Sequence, residues 1–185
     1  MGALNTLLSG WRWPLLAIAA SAAMLAAAHG FERFALLYPC PLCLRQREVY
    51  WAIVAMTLVG LALWKLRPTP RFLTSLNVLI GLVFLTGAGV AGYHMGVEYG
   101  VFPPPAGCGT LSAADAARAA LEAGNNLDRP MATSSCTEVP WSMAGISMAG
   151  WNMLVSLGLA ALSFYAAHRT PMGRTMHSPS TPAIL

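Results

Sequence analysis

Charge is what this sequence has least of. Only 10% of its 185 residues are Asp, Glu, Lys or Arg, against about 25% in an ordinary soluble domain. A chain that is 56% hydrophobic cannot cover its own surface with polar groups. That excludes a water-soluble globule and makes lipid the solvent. Cysteine is sparse as well, at four residues. Internal repeats are absent, and the length suits one domain.

What remains is long apolar runs. Four stretches lack Asp, Glu, Lys and Arg: Trp13 to Phe31, Val49 to Trp64, Phe72 to Val97 and Val139 to His168. A bilayer span needs roughly 17–25 helical residues. The second stretch has only 16 residues, so its helix is expected to begin earlier, near Pro41 or Leu44. The expected fold is therefore all-α: an integral membrane, antiparallel four-helix bundle with spans at about 13–31, 44–64, 72–97 and 139–168. Outer loops cover about 32–43 and 98–138, the membrane domain occupies 1–168, and 169–185 forms a disordered tail rich in Ser, Thr and Pro.

The few charges orient the bundle. Arg12, Lys65, Arg67, Arg71, Arg169 and Arg174 fall on one side, and all seven acids fall on the other. By the positive-inside rule both termini are then cytoplasmic. Arg33, Arg45 and Arg47 run against the rule. Ala26-Ala27-Ala28 resembles a signal-peptide cleavage site, but a single basic residue precedes it and more apolar chain follows, so a retained span is expected. The long outer loop opens on Pro103-Pro104-Pro105. Within it Ser112 to Gly124 reads as a short amphipathic helix, capped by Ser112 and closed by Gly124, with Leu111 and Leu121 toward the membrane and Asp115, Arg118 and Glu122 in water.

Gly87-Ala88-Gly89-Val90-Ala91-Gly92 matches the dinucleotide fingerprint G-x-G-x-x-G. That motif requires a preceding strand and an opening helix; here it lies inside an apolar span. With Gly96 and Gly100 it reads as small residues that let helices approach. Trp11, Trp13 and Trp64 read as interface anchors, His29 as an interfacial residue, and Glu32 as a partner for Arg33.

The topology puts all four cysteines outside. Cys40 and Cys43 form C-P-L-C at the mouth of the second span, and Cys108 and Cys136 lie near the ends of the long loop. Pro41 suits the first helical position. Cys43 is then expected in the first turn, its sulfur near unpaired N–H groups that favour a thiolate. Arg47 lies one turn deeper on the same face, where its charge would favour that thiolate and its N–H groups would suit a quinone oxygen. Spacing alone leaves three readings open: redox catalysis, two inert structural disulfides, or a zinc site, the last disfavoured by the wide gap between Cys108 and Cys136.

The sequence resembles the DsbB family of disulfide-generating quinone reductases. Residues about 13–166 carry the resemblance. It rests on Pro39-Cys40-Pro41-Leu42-Cys43 with Gln46-Arg47, on Gly92-Tyr93-His94, on Cys108, on Cys136 followed by Glu138-Val139-Pro140-Trp141, and on Gly145 to Trp151. The resemblance implies a bacterial inner-membrane protein-dithiol:quinone oxidoreductase with its cysteine loops in the periplasm. Its partner would be a DsbA-like periplasmic thiol oxidase and its cofactor ubiquinone or menaquinone, with no metal and no nucleic acid. By resemblance, Cys108 is attacked by the reduced partner, Cys136 exchanges with Cys40, and Cys43 meets the quinone. Arg47, His94 and Met148 surround that quinone, with Trp141 near in sequence. Vitamin K epoxide reductase-like enzymes place their loop cysteines ahead of the C-x-x-C, the reverse of this order. The alternative from another class is a non-enzymatic membrane protein with structural disulfides.

Overall fold

The computed structural model describes residues 8, 10–35, 39–106, 108 and 135–170. In chain order its elements are α1 (Arg12–Phe34), α2 (Pro41–Leu66), α3 (Pro70–Glu98), a hairpin of β1 (Ser142–Met143) and β2 (Ile146–Ser147), and α4 (Met148–Arg169). The four helices are long and apolar enough to cross a membrane. At 1.5 Å per residue they reach about 33–44 Å. The expected loop helix at Ser112 to Gly124 and the tail from 171 onward lie outside the described residues.

The surface inverts that of a soluble protein. Leu58, Val59, Leu63, Leu82 and Leu157 are exposed, whereas Ser21, Thr57, Asn77, Ser156 and Ser163 are buried. Lipid solvates the first group, and the small polar residues of the second let helices approach closely. The most extensive packing is of α3 against α4, while α2 packs on both α1 and α3. A three-residue link between α2 and α3 (67–69) forces these neighbours to run antiparallel.

Local sequence sets the helix ends. Pro41 and Pro70 start α2 and α3, where a missing N–H costs nothing. At the far end of α3, Gly100 adopts φ 71°. Its N–H donates to the Val97 carbonyl at 3.1 Å, and that of Val101 donates to the Gly96 carbonyl at 2.7 Å. This paired closure needs a left-handed residue after the helix. Gly100 therefore ends α3 rather than extending the glycine face. Gly92 does serve close approach: a Cβ there would lie 3.1 Å from Met153 Sδ on α4.

Two expectations are corrected. The fourth apolar stretch begins at Val139, but α4 starts only at Met148. Pro140 disfavours helix in the residue before it. Ala144 and Gly145, at φ 54° and 78°, turn the hairpin, and Ser147 caps α4 by accepting the Gly150 N–H at 3.1 Å. Trp13 is not an interface anchor: it is buried, and its indole N–H donates to Ser163 Oγ at 3.1 Å, tying α1 to α4. Trp13→Phe is expected to destabilise the bundle by about 0.5–1.5 kcal/mol, measured as thermal unfolding in detergent. An unchanged midpoint would deny this bond a structural share.

Candidate active site

Cys40 is the N-cap of α2, with extended backbone (φ −73°, ψ 165°). Its Sγ accepts the Cys43 backbone N–H at 3.3 Å. The first-turn donor thus lands on Cys40, and the expectation that Cys43 would receive it is corrected. The cause is the N-cap geometry, which turns the capping side chain back onto the first-turn N–H groups. The two sulfurs lie 3.0 Å apart as free thiols.

From α3, buried His94 brings Nε2 to 3.5 Å from Cys40 Sγ. One turn later Glu98 places Oε1 3.8 Å from the same Nε2. Its other oxygen accepts the Ser147 hydroxyl, linking α3 to the cap of α4. These contacts lower the Cys40 thiol well below its ordinary range. The hydrogen bond with the Cys43 thiol contributes most, His94 adds to it, and burial opposes both. A depressed value has a definite sign in the stability linkage. Ionised Cys40 stabilises the reduced protein fully above the unfolded-state thiol value, and this contribution is lost as pH falls through the folded value. The ultraviolet thiolate absorbance of the reduced protein should accordingly persist below the usual thiol range and disappear in Cys40→Ser. A titration at an ordinary thiol pH would contradict this environment.

Cys108 and Cys136 form a disulfide. Both are buried in one cluster with Cys40, Leu42 and Val97, and Cys43 packs against it. The fold thereby brings the loop pair against the helix-mouth pair, a contact that spacing cannot reveal.

Beside the thiols a cavity of about 340 Å³ opens between the helices, lined by Cys43, Arg47, His94, Trp141 and Met148 among others. Its walls include Met24, Phe31 and Val155, and the Phe31 and Trp141 rings meet at 5.5 Å between centroids. Cys43 borders this cavity, while Cys40 sits behind it, 3% exposed, toward the loop disulfide. Arg47 reaches the cavity wall from α2, and two of its five N–H donors are held by α1. Nη1 donates to Glu32 at 2.6 Å and Nη2 to the Ala28 carbonyl at 3.2 Å. Glu32 thus pairs with Arg47 instead of Arg33. Among the described contacts Arg47 makes none with Cys43; it sits at the cavity rim between α1 and α2.

Sequence reasoning did not assign Gln46, Tyr50, Glu98 or Asn152, all of which line the cavity. The available signal was polarity inside apolar spans. By donor type, Cys40, Cys43 and His94 are a soft set, with one atom from each within 4.8 Å of the others. The cavity itself, mostly apolar with Arg47, His94, Gln46, Tyr50, Glu98 and Asn152 as its polar groups, fits a flat apolar ring that carries hydrogen-bond acceptors.

Comparison with known proteins agrees with this geometry. The profile of the family described as "Disulfide bond formation protein DsbB" matches residues 11–166. "Disulfide bond formation protein B" of Methylococcus capsulatus is 31% identical over 159 residues, covering 80% of this chain and 88% of that protein. The protein of the same name from Dechloromonas aromatica is 36% identical over 129 residues, covering 68% and 72%. That of Xanthomonas axonopodis pv. citri is 27% identical over 174 residues, covering 88% and 93%. No solved structure matches the chain significantly.

Proposed function

The chain belongs to the DsbB family, and on that premise we propose that it reoxidises a DsbA-like periplasmic dithiol oxidase and passes the electrons to a membrane quinone. It is a multi-pass inner-membrane protein. In the proposed orientation both termini are cytoplasmic and the cysteine mouth is periplasmic, a reading supported by Arg12, Lys65, Arg67, Arg71, Arg169 and Arg174 on one side. The observation that carries the reading is the buried contact of a loop disulfide with a C-x-x-C pair at the rim of an apolar cavity.

Electrons pass inward by successive thiol–disulfide exchanges. A partner thiolate attacks Cys108; the Cys108–Cys136 bond breaks and Cys136 leaves as a thiolate. Cys136 attacks Cys40 of the oxidised mouth pair, releasing Cys43. The partner's second thiol then displaces Cys108, which recovers Cys136 and frees Cys40. The net result is an oxidised partner and a reduced mouth pair, with the loop disulfide restored. Because Cys108 is 2% exposed, docking of the partner has to uncover it.

A quinone bound in the cavity supplies the acceptor for the two electrons and two protons that return Cys40 and Cys43 to a disulfide. Such an acceptor is needed because a DsbA-like oxidant sits near about −120 mV, whereas ordinary structural disulfides lie below about −300 mV. That gap would set the exchange roughly 8 kcal/mol uphill. Met148 and Trp141 line the same cavity as Arg47 and His94; the first two would supply apolar wall to a bound ring and the last two polar groups.

The test is quinone reduction by the purified chain with a reduced DsbA-like partner, comparing wild type with Cys108→Ser. Turnover by wild type alone is the expected outcome. A wild type that consumes no quinone while keeping its cysteines oxidised would replace the enzyme by a protein of structural disulfides.

A further inference from the structure

A line of buried polar side chains leads away from the thiols into the apolar bundle. Gln46 Nε2 lies 2.7 Å from His94 Nδ1. Asn152 Nδ2 donates to Gln46 Oε1, and the Tyr50 hydroxyl donates to Asn152 Oδ1, with Ser156 Oγ 3.0 Å away. Gln46, Tyr50, Asn152 and Ser156 are each at most 8% exposed. Three helices contribute: α2 gives Gln46 and Tyr50, α3 gives His94, and α4 gives Asn152 and Ser156.

The direction of this chain is chemically informative. An amide nitrogen can only donate, so a hydrogen bond from Gln46 Nε2 requires His94 Nδ1 to accept. The ring proton must then sit on Nε2, the nitrogen facing Cys40 Sγ at 3.5 Å and Glu98 Oε1 at 3.8 Å. Burying two amides and a phenol in a membrane bundle is costly unless each is satisfied. A chain with every link made specifies one arrangement more tightly than its separate bonds would.

We propose that Tyr50, Asn152 and Gln46 are positioning residues that hold His94 as the Nε2–H tautomer, so that its ring donates to the sulfur of Cys40. The proposal rests on the thiol-exchange reading above, in which Cys40 exchanges with the loop, and adds to it how a hydrogen-bond donor is held beside that sulfur. While this tautomer is in place Cys40 has a hydrogen-bond donor beside it each time it is released as a thiolate. Cys43, hydrogen-bonded to Cys40, borders the cavity. The same tautomer disfavours a metal on the Cys40, Cys43 and His94 donor set, because a metal-bound imidazole keeps the facing nitrogen unprotonated and donates from the other.

The test is ¹⁵N NMR of the reduced, quinone-free full chain with labelled histidine, the His94 signals being assigned by their loss in His94→Gln. The expected result is a proton on Nε2 and none on Nδ1. A proton on Nδ1 would overturn the proposal in the wild type, before any variant is needed. Asn152→Leu, which breaks the middle link at similar volume, should abolish the single-tautomer signature and lower the Cys40 thiolate absorbance. An unchanged His94 spectrum in a folded Asn152→Leu protein would likewise overturn it. Because neither readout involves quinone, failure of the tautomer and failure of the quinone reaction are seen separately.

Discussion

Cys43→Ser is expected to reduce quinone turnover by about 10³-fold or more, since a hydroxyl at that position is neither an adequate nucleophile nor a redox group. A loss of that size corresponds to about 4 kcal/mol of transition-state stabilisation. Exchange between the reduced partner and the Cys108–Cys136 disulfide should continue at the first step, because Cys43 takes no part in it. The expectation rests on position: of the mouth pair, Cys43 borders the cavity and Cys40 faces the loop disulfide. Stopped-flow mixing with reduced partner, followed by trapping of the mixed disulfide on Cys108, separates the two half-reactions. If Cys43→Ser blocked formation of that mixed disulfide as strongly as quinone reduction, the division of labour between the sulfurs would be wrong.

Arg47→Ala is expected to reduce quinone reduction by about 10–100-fold, or roughly 1.4–2.7 kcal/mol, again sparing partner exchange. The structure changes the reason for that effect. The guanidinium fork spans the Glu32 carboxylate and the Ala28 carbonyl on α1, so Arg47 locks α1 to α2 at the wall of the cavity. Its loss leaves Glu32 without this partner and loosens the wall, which should appear chiefly as a higher KM for quinone. Arg47→Lys keeps the charge but cannot span both acceptors with a planar fork, so it should recover only part of the loss. Glu32→Gln, which can still accept from Arg47, should stay close to wild type. A Cys40 thiolate titration that moved strongly in Arg47→Ala, with KM unchanged, would return Arg47 to the direct thiolate role expected from its helical spacing.

The sequence by itself determined the spans and much of the chemistry. Runs free of charge, bounded by Arg12, Lys65, Arg71 and Arg169, leave lipid as the only solvent for four long helices, and Pro41 and Pro70 mark two helix starts through their missing N–H. The C-P-L-C motif with two distant loop cysteines left redox catalysis, structural disulfides and a zinc site open, and only the resemblance carried by these motifs pointed to quinone-linked exchange.

Only the tertiary structure decided which groups serve which sulfur. Cys40 receives the first-turn N–H, Arg47 turns to Glu32, and α4 waits until Met148, behind a hairpin. The contact of the loop disulfide with the mouth pair and the line from Tyr50 to His94 join residues 48 to 106 positions apart. Helical periodicity orders neighbours within a turn, so it could place Arg47 beneath Cys43 but could not show a stronger partner arriving from another helix. A buried donor goes to whatever acceptor the packing presents, and in a bundle that choice belongs to the helix interfaces.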